Sequence, residues 1–198
     1  MKPKIITIEG ASQSSTDKSQ LVSTMVQKTI GYVSQTIDSS ICNRHVTYHA
    51  LFDEIKDGPI LFVAKSLGAI RLCQYLRHIR YACGITPWKA VLIDPHAPFP
   101  LLFGALKPFQ FDTDLSADVE NFYQRNKYPM GAIVKGAKNT QIDGDHDHFT
   151  IVNHSMIGDA IKRAYNKLLD IELFSIVIKD DVFNDFHIDQ HLSIKKDI

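Results

Sequence analysis

The chain has 198 residues, with 22 Lys+Arg balancing 22 Asp+Glu, 44% hydrophobic and 22% charged residues. That length suits one domain, here 1–198, that buries about 70% of its unfolded surface. Zero net charge, with no dense basic run beyond Lys195–Lys196, argues against a nucleic-acid partner. Cys42, Cys73 and Cys83 cannot all pair and none stands in a CxxC spacing, so no disulfide framework is expected. The first residues lack the apolar stretch of a cleaved signal, and no segment reaches the roughly 18 apolar residues of a membrane span. The expectation is a soluble, cytoplasmic protein, although export without a cleaved signal leaves no such trace.

In chain order, the β-branched run 4–8 predicts a strand ending at Glu9-Gly10-Ala11. A helix is expected from Ser15-Thr16-Asp17 onward, with Leu21, Val22, Met25, Val26, Ile30 and Val33 on one face. A second strand is read at 45–49, and a third at 59–64, where PILFVA has the continuous apolar character of a strand covered on both faces. A helix follows directly, with Ala69, Leu72, Cys73, Leu76, Ile79 and Cys83 at helical spacing and Gly84 as its C-cap. Residues 89–94 read as a fourth strand, with weaker candidates at 119–124, 132–135 and 139–142. A last helix is expected over 155–169, with Ile157, Ala160, Ile161, Ala164 and Leu168 on one side.

This alternation predicts the α/β class, with a largely parallel sheet and helices on both faces. Residues 95–118 break the rhythm: four of the eight prolines fall there among phenylalanines and leucines. That apolar insert reads as core or as a pocket wall. The tail 170–198 is ambiguous between strand and helix.

Chemistry concentrates at three places. Ala64-Lys65-Ser66-Leu67-Gly68 lies between an apolar strand and an amphipathic helix, in the G-x-S-x-G pattern with alanine in the first position. Such a turn presents a serine above the sheet at a helix N-terminus, with small residues two before and two after it to avoid clashes. The Leu67 amide is then placed to stabilise an oxyanion. The plain alternative is Ser66 as a helix N-cap. A serine hydroxyl needs a base and an orienting acid. Asp94 ends a predicted strand and is the expected acid, with Asp143, Asp145 and Asp147 as rivals. In the loop Asp143-Gly144-Asp145-His146-Asp147-His148, His148 is the expected base, His146 the alternate and His154 more distant. Phe149 and Ile151 are expected to anchor this loop from behind. The same residues read alternatively as a solvated turn or as a divalent-metal site.

The segments IITIEGAS, ILFVAKSLGA, VLIDPHAPF and GDHDHFTI together resemble the α/β-hydrolase superfamily, in serine–acid–histidine order across residues 4–169. AKSLGA with VLIDPHAPF is similar to lipase-type members, and DHFTI to the loop of esterases and thioesterases in which the histidine directly precedes the last helix. The resemblance implies a minimal α/β-hydrolase fold and a serine hydrolase acting on an ester or thioester through Ser66, His148 and Asp94. It implies no cofactor and no metal. Leu67 and Ala11 would be the backbone oxyanion donors, Glu9 standing where the family often has histidine before a glycine. Substrates would be small acyl esters, thioesters or lipids, with membrane-surface contact possible through 95–111. A second expectation is a non-catalytic protein of the same fold that holds a lipid or a partner.

Overall fold

The computed structural model describes residues 2–10, 21–38, 58–73, 88–96, 109–110, 118–127 and 129–171. Its centre is a six-stranded sheet in the order β2-β1-β3-β4-β6-β8, every neighbouring pair parallel. The strands are β1 (Lys4–Glu9), β2 (Gln35–Asp38), β3 (Ile60–Lys65), β4 (Trp88–Ile93), β6 (Val119–Tyr123) and β8 (Lys138–Gln141). Outside that sheet, β5 (Phe109–Gln110) pairs with β7 (Val134–Lys135), also in parallel. The chain is therefore of the α/β class with a mostly parallel sheet.

Strand alternation sorts the core into two layers. Ile6, Ile8, Phe62, Ala64 and Leu92 project to one face and meet Ala69, Leu72 and Cys73 of α2, which begins at residue 67 and is described to residue 73. Ile5, Leu61, Val63, Val91 and Ile93 project to the other, against α1 (Val22–Ile30) and α3, a helix over 155–171. Sequence periodicity anticipates both central strands and the face of α3, whose Ile157, Ala160, Ile161, Ala164 and Leu168 are all buried. β3 is apolar over residues 60–64 and β4 over residues 90–93, where both faces are covered.

Three expected elements need correction. Leu21, expected on the first helix, is extended, so α1 as described runs from Val22, and it ends at Ile30, because Gly31 adopts φ 95. Val33 thus lies beyond it. The edge strand β2, absent from the sequence reading, is supplied by Gln35–Asp38, too short and polar to stand out. The segment 132–135 contributes only its last two residues, and these leave the main sheet for β5. The expected strand at 45–49, the start of the first helix at 15–17, the second half of α2 with Gly84, most of the 95–118 insert and residues 172–198 lie outside the described residues.

Strand order reverses around β1: the chain leaves β1 for β2 on one side and takes up β3 on the other. With right-handed crossovers, that reversal puts the helices after β1 and β3 on opposite faces, which leaves a crevice at the carboxyl ends of the two strands. Gly10 closes β1 there, and Ser66 closes β3. Among the described residues no helix is long and apolar enough to cross a membrane.

Candidate active site

Ser66 follows β3 with φ 54, a left-handed conformation that side chains other than glycine rarely adopt. Its amide donates to the Ile93 carbonyl of β4 at 3.0 Å, so the β3–β4 ladder is still intact where the chain turns. The turn demands small neighbours. A Cβ on Gly68 would lie 2.5 Å from the Glu9 carbonyl oxygen and 2.6 Å from that of Ile8. One on Gly10 would lie 2.9 Å from Ser66 Cβ. The glycine two residues after the serine is therefore needed because α2 starts against the end of β1.

Asp94 repeats the arrangement one strand further along. It follows β4 with φ 46, and its amide donates to Phe122 of β6 at 2.7 Å. Its carboxylate is fully buried yet well supplied with donors: Oδ1 accepts the Gln124 amide at 3.0 Å, and Oδ2 accepts Gln124 Nε2 at 3.3 Å. Gln124, itself buried, also joins the carbonyls of Lys127 and Pro129, folding the following loop over the carboxylate. Gly131 passes so close that a Cβ there would sit 1.9 Å from Asp94 Oδ1.

His148 reaches both. Its Nδ1 donates to Asp94 Oδ2 at 2.6 Å, and its Nε2 accepts from Ser66 Oγ at 2.9 Å. The carboxylate can only accept, so it fixes the tautomer with the proton on Nδ1 and leaves Nε2 as the acceptor for the hydroxyl proton. The loop is held behind the imidazole by Asp147, whose Oδ1 accepts the amides of Phe149 and Thr150 and the Thr150 hydroxyl. Those bonds, the Thr150 amide first, keep the Asp147 carboxyl below its ordinary range. Ile151 is buried as expected, but Phe149 is 48% exposed. Phe149 follows His148 on the outward side of the loop and flanks the imidazole edge-on at 5.7 Å between ring centres.

Ser66, Asp94 and His148 are thus joined in one chain of hydrogen bonds, and all are nearly excluded from water, at 8%, 0% and 6% exposure. The alternates lie elsewhere. His146 packs on His154 at 5.0 Å, Asp143 accepts from Gln141, and Asp145 faces Lys127. Leu67 is the first residue of α2, and Ala11 lies outside the described residues. Among the described residues no three His, Cys, Asp or Glu side chains are grouped as metal ligands.

Four neighbours have roles that the sequence reading does not assign. Glu9 is not an exposed substitute for a histidine: its carboxylate accepts the Val22 and Ser23 amides and the Ser23 hydroxyl, capping α1. An acid at a strand end, where the family often has a histidine, is the available signal. Gln124 closes the strand beside the one that ends at Asp94, which marks it as a neighbour of the acid. His96 lies two residues past Asp94, with its ring 5.6 Å from His148 and its Nδ1 donating to the Met130 carbonyl. Burial holds its imidazole below the ordinary range. Lys65 is the fourth, a fully buried lysine at the variable position of the serine motif. Compared with known protein families and with curated proteins, the chain matches none.

Proposed function

We propose that this protein is a serine hydrolase of the α/β-hydrolase type that cleaves a carboxylic ester or thioester through an acyl-enzyme. The observation that carries the reading is the unbroken Ser66–His148–Asp94 hydrogen-bond chain at the carboxyl ends of β3 and β4. A lone serine at a helix start has no need of an imidazole acceptor, and a lone histidine no need of a buried carboxylate.

In this reading Ser66 Oγ attacks the acyl carbonyl as His148 Nε2 takes its proton. Asp94 stabilises the imidazolium without being protonated itself. The negative charge on the carbonyl oxygen is met by the backbone amide of Leu67, and one such donor is worth about 3 kcal/mol in the barrier. His148 then returns the proton to the departing alcohol or thiol. A water, deprotonated by the same nitrogen, releases the acid and regenerates the Ser66 hydroxyl. The apolar segment 95–111 follows the acid in sequence and is the candidate wall for an acyl chain.

The test is labelling of the full chain with a fluorophosphonate, beside Ser66→Ala. Labelling of the wild type alone is expected, after which p-nitrophenyl esters of increasing length size the acyl pocket. Folded wild-type protein that takes up no label would overturn the reading and favour a binding protein of the same fold. Insensitivity to chelators is also expected, since no step passes through a metal.

A further inference from the structure

None of these steps uses the buried cation next to the nucleophile. Lys65 is the last residue of β3, and its side chain is fully excluded from water. Odd-numbered residues of β3 face the layer of α1 and α3, and Lys65 continues that series under the loop that carries His148. There its Nζ donates to the carbonyl oxygen of Phe149 at 3.2 Å and lies 5.9 Å from the centre of the Phe149 ring. Three carboxylates from three elements act on it: Glu9 at the end of β1, Asp94 at the end of β4, and Asp147 of the histidine loop. A buried ammonium is tolerated only where opposite charges and acceptors meet it, and this one has both.

We propose that Lys65 is a positioning residue for the catalytic base: its ammonium clamps the main chain at Phe149, one peptide bond from His148, and so holds the imidazole over Ser66. This rests on the serine-hydrolase reading above. The close approaches at the turn fall on Gly68 and Gly10, and the serine motif leaves position 65 variable, so a lysine there answers to what surrounds its amine. The leverage is direct, because a shift of about 1 Å in a reacting group costs on the order of a hundredfold in rate. The charged form matters because a charge-assisted hydrogen bond is about twice as strong as a neutral one. Burial is the dominant effect on this amine, and against the pull of Glu9, Asp94 and Asp147 it pushes the ammonium down to about 8. The clamp therefore weakens under mildly alkaline conditions.

The experiment follows the rate of fluorophosphonate labelling of Ser66 by intact mass from about pH 6 to 10, in wild type, Lys65→Met and Lys65→Arg. The wild-type rate is expected to decline through about pH 8. Lys65→Met should label roughly 10- to 100-fold more slowly and show no alkaline decline. Lys65→Arg, always charged, should recover part of the rate and remain flat through the same range. A wild-type rate in Lys65→Met, or a decline that persists in it, overturns the proposal. So does a flat wild-type profile, a result that requires no variant to fold. Wild type that is unlabelled at every pH overturns the hydrolase reading itself, a distinct outcome.

Discussion

The turns at Ser66 and Asp94 share a backbone conformation but are supported in opposite ways. Both follow adjacent parallel strands, both adopt positive φ without being glycine, and both keep their amide in the sheet ladder. At Ser66 the constraint is steric: close approach of α2 to β1 leaves room only for glycine at 68 and 10. At Asp94 it is polar, with Gln124 donating to both carboxylate oxygens and the following loop closed over them. One device thus raises a hydroxyl to the crevice while the other sinks a charge beneath it. On the proposed function the difference follows what each group needs: a nucleophile needs access, and an orienting carboxylate needs fixed donors and no water.

Substitutions at the two turns separate these needs. Ser66→Ala and Ser66→Gly should both lose turnover by roughly 10⁴-fold or more. Ser66→Gly should also gain up to about 1 kcal/mol in stability from relief of the left-handed backbone, seen as a higher Tm. Asp94→Asn keeps a residue that tolerates this conformation, yet its amide favours the wrong imidazole tautomer. A loss in kcat of roughly 10³- to 10⁴-fold is expected, and a near-normal rate would transfer the acid role to the 143–147 loop.

Gly131→Ala probes the closure over the acid. The added methyl has to displace Asp94 Oδ1, so kcat should fall by roughly 10- to 100-fold with KM little changed. An unaltered kcat would show that the Gly131 approach does not constrain the carboxylate.

The smallest expected effect is one of stability. Lys65 is held at about 8 in the fold against an ordinary value of 10.5, so between those values the unfolded chain binds more protons. The contribution of this site to stability is then lowest below about pH 8, rises with pH through the window, and is complete above the unfolded value. Urea titrations of wild type and Lys65→Met near pH 7.5 and 10 should show a stability difference that moves in favour of wild type as pH rises. Activity is expected to move the other way over the same range, which separates the clamp from a purely structural role.

The sequence by itself carried what is local. Strands covered on both faces carry continuous apolar runs, so residues 60–64 of β3 and 90–93 of β4 stand out, and helical spacing reveals the buried face of α3. A serine between small residues after such a strand, an aspartate ending the next strand and a histidine before the last helix each have a chemical signature within a few residues. Only tertiary structure decided what depends on distant partners. The α1 cap comes from Glu9, 13 residues upstream, because the end of β1 happens to meet that helix terminus. β2 is a strand because β1 offers it an edge, since four mostly polar residues have no pattern of their own. Gln124 and Gly131 are unremarkable in sequence, and Lys65 is only a variable position of the serine motif; all three become significant only where the parallel sheet brings its strand ends together, around a carboxylate and an imidazole 54 residues apart.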